Sequence, residues 1–349
     1  MRAFEHMDHV ALADERVAVL GDVHGNSGWM RMLAKALPYL APDVTTILQL
    51  GDWWMPAAEM DEAFAATNIT AIYVTNGNHE PWGKVSRILN KHPGEAVRVS
   101  EIVWLLPRPA RLSIGGRSVL SLGGASSVDR DSRIEGLTWW PDEAITDEHV
   151  ATAIAGGPAD LMLTHESPAG TPVRAVREIL RTNPHAFPKA ALEASAASRA
   201  RVNEVWDTVR PELLAHGHMH VAGGGKTVDG RRVASFGREG FEGNVGILDM
   251  RTLRMITPSL RAIRAASERG YAASRCRTAA PRGKVGSSST AAAPPTNSSK
   301  MFFAGTNDER RSQRITDGRR GRRGSTRQEH IRRGSTCLRA VPARHHHTR

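Results

Sequence analysis

Gly21-Asp22-Val23-His24-Gly25-Asn26 decides how the rest of this chain is read. It directly follows Val17-Ala18-Val19-Leu20, an apolar run that reads as a buried strand. An aspartate and a histidine two residues apart at the mouth of a strand can face one point, and both side chains bind metals through oxygen or imidazole nitrogen. Gly21 and Gly25 let the backbone turn tightly around them. Alone, Asp-x-His is a common pattern. It gains meaning from Gly51-Asp52, Gly77-Asn78-His79-Glu80, Thr164-His165-Glu166 and Gly217-His218-Met219-His220 downstream. Each follows a strand-like run, at 47–50, 72–74, 161–163 and 213–215. Polar clusters at the carboxyl ends of apolar strands are where open α/β sheets keep their sites.

The intervening segments fit that reading. Residues 29–37 predict a helix ended by Pro38, and a second helix starts at Pro56 and runs through 66. With strands at 17–20, 45–50 and 72–74, the rhythm is βαβαβ, which argues a parallel sheet with helices on its faces. Short strands follow at 102–106, 110–114 and 119–122, with Gly115-Gly116 as a hairpin turn. The loop 123–141 is dense in Gly, Ser, Asp and Arg and carries Arg130, Arg133, Trp139 and Trp140. Thr146-Asp147-Glu148-His149 reads as a helix start, and 189–209 as a long helix. Asp229-Gly230 turns a hairpin between 221–228 and 231–236, and 245–250 is a last core strand. Residues 170–188, with Pro172, Pro184 and Pro188, show no clear period.

Charge divides the chain. The net +11 of its 349 residues arises at one end: 261–349 hold 21 Lys and Arg against 5 Asp and Glu, leaving 26 against 31 in 1–260. The expected organisation is one domain over 1–265 and a basic, low-complexity, disordered tail over 266–349, too poor in apolar residues to offset chain entropy. Runs such as Arg319-Arg320-Gly321-Arg322-Arg323 and His345-His346-His347 suit nonspecific contact with nucleic acid or metal. Cys276 and Cys337 both lie in that tail, so the domain has neither a disulfide nor a thiolate ligand, as in a reducing compartment. Residues 1–16 lack an apolar leader, and no run approaches the roughly 20 apolar residues of a membrane span. The expectation is a cytoplasmic protein with no membrane partner.

In order over about residues 17–250, the set Asp22-x-His24, Gly51-Asp52, Gly77-Asn78-His79-Glu80, His165 and Gly217-His218-x-His220 resembles the calcineurin-like metallophosphoesterase superfamily. The resemblance implies an α/β fold, a two-sheet αββα sandwich with a parallel-rich core. It also implies a dinuclear metal-dependent phosphoester hydrolase, phosphodiesterase or phosphomonoesterase (phosphatase), in which a hydroxide bridging two divalent ions attacks phosphorus. Asp22, His24, Asp52 and His220 would hold one ion, and Asp52, Asn78, His165 and His218 the other. A bridging carboxylate suits Asp52, because its charge offsets the repulsion between the ions. The oxygen and imidazole donors suit Mn, Fe or Zn, with Mn favoured. His79 beside Asn78 would be the catalytic proton donor or the charge partner of the phosphate. Arg130 and Arg133 could meet the substrate phosphate. His216 reads as a neighbour of the ligands, and Trp53, Trp54, Trp139 and Trp140 as packing more than as a substrate wall. The chain departs from the protein serine/threonine phosphatases, which continue the second motif as Gly-Asp-x-Val-Asp-Arg-Gly. Gly51-Asp52-Trp53-Trp54-Met55-Pro56 has no such arginine, which argues against a protein phosphatase. The alternative from another class is a nucleic-acid-binding protein that works through its tail and keeps a vestigial metal site. The complete donor set disfavours it.

Overall fold

A computed structural model describes residues 5–278, in which two sheets lie face to face with helices outside both. The first sheet runs, edge to edge, His6–Met7, Ala96–Arg98, Val103–Leu105, Ala71–Val74, Thr46–Gln49, Arg16–Leu20, Val245–Asp249 and Arg254–Ile256. Its four central strands from Val103–Leu105 to Arg16–Leu20 are parallel, and its flanking pairs are antiparallel. The second sheet runs Gly223–Lys226, Arg232–Ser235, Leu213–His216, Leu161–Thr164, Arg117–Leu122, Ala110–Ile114 and Val10–Leu12. Strands Arg232–Ser235 through Arg117–Leu122 are parallel.

The pleat explains the layers. Alternate residues of one strand point to opposite faces of a sheet. Val17, Val19, Leu48, Leu50 and Tyr73 of the first sheet meet Leu112, Val119, Leu161, Leu163 and Ala215 of the second in one apolar layer. Ala18, Leu20, Ile47, Ile72 and Val74 face the other way, onto helices Ser27–Leu40 and Ala57–Phe64. Leu120, Leu122, Met162 and Leu214 likewise pack under Asp147–Ala155 and Lys189–Val209. The central strands are apolar on both faces, as buried parallel strands are. The expected αββα sandwich is therefore the observed fold, with seven α-helices among the described residues.

Local details differ from the sequence reading. The helix Ser27–Leu40 continues through Pro38. Proline there forfeits only its own bond back to the previous turn, and the next turn still closes, with Ala41 N donating to Leu37 O at 2.8 Å. Pro56 caps the helix Ala57–Phe64 from outside. A helix, Arg174–Thr182, occupies the segment without a clear period. The helix Leu260–Thr278 crosses the expected domain boundary at 265, with Ile263 and Ala266 buried against Ser27–Leu40 and its neighbours. The expected disorder and the basic runs of the tail fall within 279–349, outside the described residues. No helix among the described residues is long and apolar enough to cross a membrane.

Candidate metal centre

All seven expected ligands converge at the carboxyl ends of Arg16–Leu20, Thr46–Gln49, Ala71–Val74, Leu161–Thr164 and Leu213–His216. The turns after these strands are tight. A Cβ on Gly77 would collide with the Asp52 amide and carboxylate, and one on Gly217 with Asp22 Oδ1. Non-glycine residues rarely adopt positive φ. Nine do so among the described residues, and four are expected ligands: His24 at 46°, Asp52 at 54°, His218 at 63° and His220 at 54°. Backbone held in such conformations concentrates at functional sites.

Donor atoms of Asp22, His24, Asp52 and His220 lie within 4.8 Å of one another. His24 Nε2 is 3.4 Å from Asp52 Oδ2 and 3.8 Å from Asp22 Oδ2, and His220 Nε2 is 3.0 Å from Asp22 Oδ2. On the other side of Asp52, His165 Nε2 is 3.3 Å from Asp52 Oδ1 and 2.9 Å from Asn78 Oδ1. The His218 ring lies 5.0 Å from that of His165. Asp52 thus stands between the two groups, as a bridging carboxylate would.

The donors fit divalent ions. Asp22 Oδ2 and Asp52 Oδ2 are buried, and what approaches them is imidazole nitrogen, His220 Nε2 at 3.0 Å and His24 Nε2 at 3.4 Å. A carboxylate oxygen left so is costly unless a cation answers it. Burial alone would raise both carboxyls, but the imidazoles around them hold both below the usual range. Burial also opposes charge on His24 and His165, yet the carboxylates outweigh it and push both up to about 10. A field strong enough to hold protons on two buried imidazoles suits a pair of dications.

His79 sits at the rim. Its amide donates to Asp52 Oδ1 at 2.8 Å, and its ring stacks on Trp54 at 5.7 Å with 7° between planes. Arg133 reaches the same ring: Nη2 is 3.1 Å from Nε2 and also meets Nδ1, while Nε and Nη1 are fixed by Asp129 Oδ2 and Thr138 O. Burial, with Arg133 alongside, pushes the imidazole down to about 4. Glu80 does not touch His79; it accepts from the amides of Trp53, Trp54 and Gly77, tying two ligand loops together. Arg130 lies over the Trp139 ring at 3.9 Å and is not brought to the ligands. Trp53 is core, whereas Trp54 walls the site, edge-on to His24 at 5.7 Å. His216 is buried, with Nδ1 against Gly217 O at 2.9 Å.

Three further residues matter that no motif marks. Glu239 Oε2 holds His24 Nδ1 at 2.8 Å. Ser127 Oγ accepts from Asn78 Nδ2 at 2.9 Å and donates to Glu143 Oε2 at 2.6 Å. Glu239 and Ser127 lie in Gly-rich loops after strands, and Glu143 ends the short 3₁₀ turn Pro141–Glu143, so none carries a motif signal.

A family model, calcineurin-like phosphoesterase, matches residues 15–222. None of the curated proteins matches this chain. Among solved structures, TT1561 of Thermus thermophilus is 14% identical, with a TM-score of 0.42 over 70% of this chain and 98% of that one. A dimetal phosphatase from Danio rerio is 10% identical, with a TM-score of 0.44 over 71% of this chain and 96% of that one. An archaeal phosphodiesterase is 14% identical, with a TM-score of 0.35 over 70% of this chain and 99% of that one.

Proposed function

Since this chain belongs to the calcineurin-like phosphoesterase family and is a hydrolase acting on phosphoesters, we propose that it works with two divalent ions. One would be held by Asp22, His24, Asp52 and His220, the other by Asp52, Asn78, His165 and His218. The observation that carries this reading is the pair of buried carboxylates, Asp22 and Asp52, whose Oδ2 atoms meet only imidazole nitrogens of other expected ligands. Ions so held supply a water acidic enough to attack at neutral pH and positive charge for the phosphoryl oxygens. Oxygen and imidazole donors with no thiolate suit manganese, iron or zinc, and manganese is the ion we favour, for its affinity for the carboxylate and amide oxygens of Asp22, Asp52 and Asn78.

The chain's own residues do the rest. Asp52 keeps the two donor groups together. Asn78 offers a neutral amide oxygen, so one group carries less negative charge than the other. Arg133 brings a guanidinium to the rim in a chain whose second motif holds Trp53-Trp54 and no arginine, and it is assigned to the substrate phosphate. His79, beside both Asp52 and Arg133, is assigned to the leaving oxygen. Burial, with Arg133 alongside, keeps the ring neutral, so its part at the leaving oxygen is that of a hydrogen-bond donor.

The test is hydrolysis of bis-p-nitrophenyl phosphate and p-nitrophenyl phosphate by metal-free protein to which Mn²⁺ is added. Activity is expected to be absent without metal and to saturate at two ions per chain. Full rate with one ion overturns the dinuclear reading. The preferred ester of the two assigns diesterase or monoesterase activity.

A further inference from the structure

Two carboxylates outside the ligand set lead to ligands of different ions, Glu239 directly and Glu143 through Ser127, and we propose that Glu239 and the Ser127–Glu143 pair are positioning residues that tune the two ions separately. The proposal rests on the two-ion reading.

Glu239 serves the first ion. Its carboxylate engages His24 Nδ1 at 2.8 Å, which leaves Nε2 as the atom facing Asp22 and Asp52. The loop is fastened where its ligand begins: Glu239 N donates to Asp22 O at 2.9 Å, and Asn244 Nδ2 donates to Asp22 O and Gly237 O at 3.0 and 2.9 Å. A histidine whose distal N–H is held by a carboxylate has a fixed tautomer and a more basic ligating nitrogen.

Ser127 and Glu143 serve the second. Ser127 N and Oγ both donate to Glu143, at 2.7 and 2.6 Å, and all of these groups are buried. A hydroxyl has one proton. Ser127 Oγ gives its proton to Glu143 and can only accept from Asn78, so the amide NH₂ of Asn78 must face Ser127. Oδ1 is thereby turned to the site, 2.9 Å from His165 Nε2. A flipped amide would set two oxygens against each other and point NH₂ at the ion. The two arrangements share no residue.

The test titrates Mn²⁺ into the metal-free full-length protein by calorimetry, with electron paramagnetic resonance to distinguish an exchange-coupled ion pair from an isolated ion. Manganese is chosen because its resonance spectrum distinguishes a coupled pair from a single ion, and any ion taken up by the surface group His6, His92 and Glu95 or by the tail histidines would persist as the same isolated-ion signal in every variant. Glu239→Gln and Ser127→Ala should each weaken one ion by roughly 10–100-fold and leave the other unchanged, giving isolated-ion spectra at intermediate Mn²⁺. In a His220→Ala background, which lacks a ligand to the first ion, Ser127→Ala should weaken the remaining ion and Glu239→Gln should not. Ser127→Thr keeps the hydroxyl and should restore wild-type affinity. Equal loss of both ions in either variant, no loss in either, or failure of threonine to rescue overturns the proposal while two ions still bind to the wild type. A wild-type chain that takes only one ion overturns the two-ion reading and this proposal with it.

Discussion

Asp52 and His79 adjoin through one hydrogen bond, yet they are expected to fail differently when changed. Asp52→Asn removes the negative charge that lies between the two donor groups, so metal content and rate should fall together, as measured by elemental analysis and hydrolysis of p-nitrophenyl phosphate. His79→Asn should keep both ions. Its rate on an alkyl ester should fall by roughly the 10²–10³ that one hydrogen bond to a developing oxyanion supplies, and by less on p-nitrophenyl phosphate, whose leaving oxygen carries its charge more easily. An equal loss on both esters would assign His79 to the phosphate in company with Arg133. Loss of an ion would make it a ligand. Gly77→Ala tests the turn itself. Its new Cβ has no room beside the Asp52 carboxylate, so the variant should lose metal affinity without any donor having been removed.

The helix Asp147–Ala155 shows how a local signal becomes a measurable pH effect. Thr146 accepts from His149 N at 3.3 Å, and His149 Nδ1 accepts from Thr146 N at 3.1 Å, so the imidazole takes the capping-box position usual for Glu or Gln. Burial, together with Arg108, pushes His149 down to about 4 from the 6.5 of a free side chain. Between those values the unfolded chain binds the proton and the folded one does not, so this group's contribution to stability is complete above pH 6.5 and shrinks as pH falls toward 4. His149→Gln keeps an acceptor without that proton. Urea titrations should show a shallower loss of stability for the variant across this window, and an unchanged slope would refute the assignment. That helix start was legible in Thr146-Asp147-Glu148-His149. So were the five strands that deliver ligands, because each is a buried apolar run ending in polar residues, with glycine beside them in all but Leu161–Thr164. The strands His6–Met7, Ala96–Arg98 and Arg254–Ile256, toward the margins of the first sheet, are too short to show a period. The helix Arg174–Thr182 hides because it is short, carries four charged residues among its nine and buries only Val176. At the site, the ligands follow from motif spacing. Glu239 lies 215 residues from His24 and Ser127 lies 49 from Asn78, so loop paths, not local pattern, bring them there.

At the scale of the whole chain, the end of the folded part and the start of the basic segment need not coincide, and two truncations separate them. The helix Leu260–Thr278 lies along Ser27–Leu40: Ile263 and Ala266 are buried, Arg269 stacks on Tyr39 at 5.6 Å, and a Cβ on Gly270 would come within 2.6 Å of Lys35 O. A chain ending at 265 loses Ala266 and the rest of that seam, exposing apolar surface on Ser27–Leu40, so its melting temperature should drop clearly. A chain ending at 278 keeps the seam and should melt and hydrolyse p-nitrophenyl phosphate like the full protein. Residues 279–349 hold 16 Lys and Arg against 4 Asp and Glu, leaving 31 against 32 before them. Binding to nucleic acid driven by that charge would weaken linearly in the logarithm of salt concentration, because each neutralised phosphate releases a counterion. The chain ending at 278 should therefore bind a labelled duplex far more weakly at low salt than the full chain, with a flatter salt dependence. If it binds as tightly and as salt-sensitively, the contact belongs to the folded domain, and the near-neutral charge of residues 1–278 must conceal a basic face.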